Sequence, residues 1–126
     1  MSGLNAFVAV AAGGALGASA RYGVSLWLAG QSSRFPFATL AANISGAFLA
    51  GVLVSLLLAR SPAATTSYLL LVTGFLGSFT TLSAFSIETL RLWQSGYTVS
   101  ALIYVFATVI GAMTAALLGS LIAQAG

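Results

Sequence analysis

TGFLGSFTTLSAFS, residues 73–86, places Gly, Ser or Thr at eight of fourteen positions, carries no charge, and sits inside an apolar stretch from about Ser67 to Leu90. A bilayer crossing takes about 20 residues of helix, so the stretch is long enough to span. Its composition is costly for a helix facing lipid. Gly74 and Gly77 remove the steric reason to stay helical, and the hydroxyls of Ser78, Thr80, Thr81 and Ser83 compete for backbone groups. The stretch therefore has two readings. It breaks near mid-membrane, where protein or a watery cavity must surround the freed backbone and the freed carbonyls can coordinate a cation; or it is a seam of small residues that serves helix packing.

Outward from it lie three more apolar stretches, about Leu4 to Leu28, Phe37 to Ala59 and Tyr97 to Gln124. Loop-forming residues separate them at Gln31 to Pro36, Arg60 to Thr66 and Arg91 to Gly96. The chain has 126 residues, of which 4% are charged, against roughly 25% in soluble domains. The expected fold is an all-α membrane protein, one domain of four transmembrane helices over residues 1–126 with a broken third helix. Ala18 to Ala20 resembles a signal-peptidase site, but no positive residue precedes the apolar region, so the first stretch is expected to be retained.

The same composition removes chemistries. Without Cys or His, and with Glu88 as the sole carboxylate, one chain cannot assemble a catalytic triad, an acid/base carboxylate pair or a usual zinc or haem site, so no enzyme is expected. Arg21, Arg34, Arg60 and Arg91 are scattered and form no basic run of the kind a nucleic-acid partner needs.

Cytoplasmic loops normally carry the excess of Lys and Arg. Here Arg34 and Arg91 lie on one side, Arg60 and the amino terminus on the other, and Arg21 adds to the first side only if it snorkels. Two arrangements follow from so small a bias: one fixed orientation, or insertion both ways, which permits an antiparallel homodimer with its two-fold axis in the membrane plane. Gly13 and Gly17, Ala42, Gly46 and Ala50, and Gly111, Ala115 and Gly119 repeat at four-residue spacing and give flat faces for close helix packing, within one chain or between two.

Several polar residues lie where lipid would otherwise be met. Thr39 and Asn43 share a helical face; the Asn43 carboxamide offers two donors to an anion or water, or simply joins helices. Ser100, Tyr104 and Thr108 form a hydroxyl stripe that stops at Ala112. Glu88 is either an interfacial anchor paired with Arg21 or Arg91, or an ionisable group in a pathway. Phe75, Phe79 and Phe85 pack as core or present positive ring edges to an anion.

With GGALGASARY from Gly13, TLAANISGAFLAG from Thr39 and GFLGSFTTLSAFS from Gly74 in order, the chain resembles the CrcB or Fluc family of small fluoride channels along nearly its whole length. The resemblance implies an antiparallel dual-topology dimer with two narrow fluoride pores and a structural sodium ion at its centre, held by backbone carbonyls at Gly77 and Thr80 of both subunits. It also implies pore positions at Asn43, Phe85, Ser83 and Glu88, with Tyr104 and Thr108 in a polar track and Arg21 near a vestibule. This chain departs from the family pattern TTFSTFS at Leu82 and Ala84, and Ala112 stands where a pore hydroxyl is often found. The expected function is passive fluoride exit from a bacterial cytoplasm across the inner membrane. A proton-coupled organic-cation exporter of similar size would need a carboxylate in the first span, which is absent; a non-conducting assembly subunit would need only the small-residue seams.

Overall fold

The computed structural model describes residues 2–28, 34–60 and 65–125, and those residues form helices and turns. Ser2 caps the first helix, its hydroxyl accepting from the Asn5 N–H at 3.2 Å and so satisfying one of the donors a helix start leaves bare. Helix α1 is Gly3–Trp27 and α2 is Phe37–Arg60. The third segment opens with a short turn, α3 (Thr65–Ser67), passes into a π-helical stretch (Tyr68–Leu76) and one tight turn, α4 (Gly77–Phe79), and resumes as α5 (Leu82–Gln94). Helix α6 is Thr98–Ala125. Four of these segments, Gly3–Trp27, Phe37–Ala59, Tyr68–Gln94 and Thr98–Ala125, are long and apolar enough to cross a membrane.

The second and third loops are shorter than the sequence signals them. Arg91 to Gln94 continue α5 because Leu92 is buried beside Ala101 and Tyr104. The helix ends at Gly96, whose φ of +87° places it in the region glycine tolerates best, with Gly96 N–H donating to Trp93 O at 3.1 Å and Tyr97 N–H to Leu92 O at 2.8 Å. Those two bonds are the paired closure that satisfies the last carbonyls of a helix. In the second loop, α2 runs through Arg60 and Thr65 is already helical; residues 61–64 lie outside the described residues, as do 29–33 of the first loop.

Helix α2 packs along α6, while α1 packs on the π-helical stretch. Glycine makes both contacts possible. A Cβ at Gly51 would strike the Ala116 carbonyl and one at Gly119 the Phe48 carbonyl; at Gly13 and Gly17 it would strike the carbonyls of Leu70 and Phe75. Across the α2–α6 seam the Ser55 and Ser120 hydroxyls share a hydrogen bond of 2.8 Å. A winding of nine residues with i→i+5 bonds is uncommon, and it sets the carbonyls of Leu70 and Phe75 against the two α1 glycines. Gly17→Ala is expected to lower the thermal midpoint of the detergent-solubilised protein, because a backbone carbonyl cannot move aside and overpacking costs about 1–3 kcal/mol. Gly23, with nothing near its added Cβ, is the control: Gly23→Ala should be neutral or stabilising by up to about 1 kcal/mol.

Candidate functional site

Between α4 and α5 the backbone makes a two-residue extended step, Thr80 at φ −86°, ψ 155° and Thr81 at φ −151°, ψ 125°. Side chains from α1 and α2 wire it. The Asn43 carboxamide grips Thr81 twice, its Nδ2–H donating to Thr81 O at 3.1 Å and its Oδ1 accepting from Thr81 N–H at 2.8 Å. Arg21 Nε–H donates to Ser78 O at 3.2 Å. The Thr81 hydroxyl caps α5 by accepting from Ala84 N–H at 3.1 Å, and the Thr80 hydroxyl donates to Leu76 O at 2.9 Å. Gly46 lets the step lie close to α2, since a Cβ there would overlap the Thr80 methyl and crowd the Phe79 ring.

This wiring takes up two of the N–H groups that an unbroken helix would direct to its own carbonyls. In an unbroken helix Gly77 O would accept from Thr81 N–H and Thr80 O from Ala84 N–H. Both donors are diverted, the first to Asn43 and the second to the Thr81 hydroxyl.

Beside the step lies a groove of about 540 Å³ between α2, the third segment and α6, lined by Asn43, Thr80, Thr81, Phe85, Thr108 and Ala112 among others. Leu82 also lines it, with 75% of its surface exposed. Thr108 is buried, yet its hydroxyl has no hydrogen-bond partner among the described residues. A turn further along the same helices stands a second cluster. Tyr104, fully buried, donates from its phenol to Glu88 Oε1 at 3.2 Å, with Thr39 beside the same phenol. The Phe85 ring lies 5.1 Å and the Phe35 ring 5.5 Å from the Tyr104 ring, between centroids. Phe85 therefore belongs to both clusters.

Asn43, Phe85, Leu82 and Thr108 thus gather round the groove, and Thr39, Tyr104 and Glu88 form the adjoining cluster. Ser83 is exposed, its hydroxyl 3.3 Å from that of Thr81, and Arg21 serves the α1 side of the step. Gly77 and Thr80 both line the groove. Phe75 and Phe79 stack on each other with centroids 5.7 Å apart, which is packing. Phe35 escaped the sequence-based reading, whereas Thr81 and Gly46 entered it only as a hydroxyl that competes for backbone groups and as part of a small-residue face; the N-cap role of Thr81 could have been read from its place just before a helical run. A roomier groove, about 930 Å³ along α2 and α6, is lined almost wholly by aliphatic and aromatic side chains, and its Ser45 hydroxyl is committed to Ala41 O at 2.6 Å; it offers an ion nothing.

Comparison with known proteins agrees with this architecture. The family described as "CrcB-like protein, Camphor Resistance (CrcB)" matches residues 8–120. The fluoride-specific ion channel FluC of Saccharophagus degradans is 47% identical over 86% of this chain and 82% of its own length. The FluC proteins of Paracoccus denitrificans, 42% identical over 90% of each chain, and of Chlorobium chlorochromatii, 43% identical over 91% of this chain and 89% of that one, are similar along nearly their whole lengths. With four helices fit to span a bilayer and a family match that takes in all four, this chain is a multi-pass membrane protein that belongs to the CrcB family.

Proposed function

We infer that the chain forms a passive channel through which fluoride leaves the cytoplasm across a bacterial inner membrane. The observation that carries this is the Thr108 hydroxyl. Ser45, Thr80, Ser86 and Thr89 each give their proton to the carbonyl four residues back, the usual fate of a hydroxyl in a membrane helix. Thr108 does not, though a buried polar group without a partner costs about 1–3 kcal/mol. It stands in a groove that also holds Asn43, whose NH2 retains one hydrogen after gripping Thr81. Donors without competing acceptors are what a strongly hydrated anion needs in place of water. No carboxylate lines that groove.

Passive exit suffices chemically. Hydrogen fluoride crosses membranes as a neutral acid and dissociates inside, and one charge crossing 100 mV is worth about 2.3 kcal/mol. No nucleotide or coupled ion is required. The groove is open along one side of the single chain, and a second copy inserted in the opposite sense would close it; the small charge bias between the two faces supports such an antiparallel dimer with two narrow pores.

Sodium fits the extended step. Gly77 and Thr80 each have a carbonyl whose helical donor is diverted, and neutral oxygens of this kind suit a hard monovalent cation. One such pair from each of two copies would hold the ion, which would supply fixed positive charge and rigidity at the centre of the dimer. Within this chain Asn43 and the Thr81 hydroxyl take up the N–H groups that would otherwise bond those carbonyls, and Arg21 Nε–H bonds Ser78 O.

A fluoride electrode recording efflux from vesicles that contain the purified protein tests the reading. Rapid fluoride loss with little chloride loss is expected; comparable chloride flux would refute selectivity, and labelling that finds every copy in one orientation would refute the antiparallel dimer. Leu82→Phe, which sets a positive ring edge in the groove wall where this chain has an aliphatic side chain, is expected to raise fluoride flux about 2- to 10-fold, equivalent to about 0.4–1.4 kcal/mol. An unchanged rate would remove that ring from the mechanism.

A further inference from the structure

The chain carries five charged side chains, and three of them, Arg34, Arg91 and Glu88, line a single cavity of about 480 Å³ at one end of the bundle. In a protein so poor in charge, this concentration calls for a cause. Anchoring at the membrane surface would account for arginines pointing outward into headgroups. Here Arg34 and Arg91 are exposed, but Arg34 is tied down over the Tyr97 ring, its guanidinium carbon 4.6 Å from the centroid, and Tyr97 is itself positioned by the turn at Gly96 through its bond to Leu92 O. Stacking occupies the flat face of a guanidinium and leaves its N–H edge for an anion. Arg91 reaches the same cavity from the last turn of α5. The opposing charge is Glu88, whose Oε1 is engaged by the buried Tyr104 phenol. The balance in the cavity is two positive charges to one negative, and the carboxylate lies on the side that leads inward to Tyr104 and Thr39.

We propose that this cavity is an anion-recruiting vestibule, in which Arg34 and Arg91 raise the local concentration of small inorganic anions at the mouth of the path past Glu88 and Tyr104. It rests on the channel reading above and adds two residues and a site to it. A cleft lined by one sign of charge raises the arrival rate of counter-ions by about 10- to 1,000-fold; with Glu88 offsetting one of the two arginines the gain here falls at or below the low end of that range, and it vanishes as salt shortens the screening length from about 30 Å at 0.01 M to about 8 Å at 0.15 M.

The test is fluoride efflux from phosphatidylcholine vesicles at those two ionic strengths, set with choline gluconate at constant sodium, for the wild type, R34Q/R91Q and R34K/R91K. Comparing each protein at low and at high salt cancels differences in folding yield and orientation. Wild type is expected to lose about 3- to 10-fold of its flux on going to high salt, the glutamine pair to start that much lower and show no salt dependence, and the lysine pair to keep it. An equal loss at both salts, which lost packing of Arg34 on Tyr97 would produce, overturns the proposal, as does a glutamine pair that retains the wild-type salt dependence. A salt effect seen only when phosphatidylglycerol is added assigns the site to a lipid phosphate and also overturns it. Wild-type vesicles that release no fluoride at either salt would overturn the channel reading itself and the vestibule with it.

Discussion

Asn43→Asp is expected to reduce fluoride flux by about 100- to 1,000-fold while the protein still inserts and assembles. The two side chains are nearly isosteric, so the change isolates charge and the two N–H donors of the carboxamide. The aspartate can still accept from Thr81 N–H, but it turns a negative oxygen toward Thr81 O where the carboxamide donated at 3.1 Å. That leaves one carbonyl without its donor, at about 1–3 kcal/mol, and loosens the extended step on which the Gly77 and Thr80 carbonyls depend. It also places a negative charge beside the anion path, and two like charges about 4 Å apart repel by about 4 kcal/mol at the effective dielectric of a protein surface. Each 1.36 kcal/mol is a factor of ten in rate, so repulsion alone accounts for the expected loss. Efflux measured by fluoride electrode, with size-exclusion chromatography to verify assembly, gives the answer; flux within about threefold of wild type, less than 1 kcal/mol, would show that Asn43 neither holds the step nor borders the path.

Thr108→Val is expected to separate stability from activity. Valine replaces the hydroxyl with a methyl of similar size, and since Thr108 Oγ1 is buried without a partner among the described residues, its removal should leave the thermal midpoint unchanged or raise it, by up to the equivalent of about 1–3 kcal/mol. Flux should fall about 10-fold or more, the loss of one donor to a desolvated anion being worth about 1.5 kcal/mol or more. Thr108→Ser keeps the hydroxyl and should retain most of the flux. A valine variant that conducts normally would make the unpaired hydroxyl an incidental feature of packing. A variant that loses both stability and flux would mean that the hydroxyl has a structural partner.

These two residues stand differently in relation to the stripe to which each belongs. On α2, Thr39 and Asn43 lead from the Tyr104 cluster to the extended step, and Gly46 continues the face so that Thr80 can approach. On α6, Tyr104 and Thr108 run alongside, but Ala112 follows without a hydroxyl. Beyond that level the groove wall is Ala112 and Met113, so the donors supplied by this chain end near Thr108.

Four long apolar stretches, the near absence of charge and the four-residue repeats of Gly and Ala were all legible in the sequence, because burial in lipid is a property of each segment's own composition and small residues act wherever they stand. The excess of Gly, Ser and Thr between Thr73 and Ser86 likewise set that segment apart from the other three. Where it departs from helix, and which oxygens it bares, depended on the tertiary structure. Thr81 gives up its helical bond because Asn43, 38 residues away, offers both a donor and an acceptor, and no local pattern encodes a partner at that distance. The π-helical stretch Tyr68–Leu76 likewise lies against two α1 glycines, Gly13 and Gly17, where any Cβ would strike its carbonyls. Thr108 and Thr89 look alike as hydroxyls in a membrane helix, yet one is satisfied by its own backbone and the other is not. Composition sets the solvent a segment must face, whereas a hydrogen bond needs two groups within about 3 Å, and only the packed bundle brings them there.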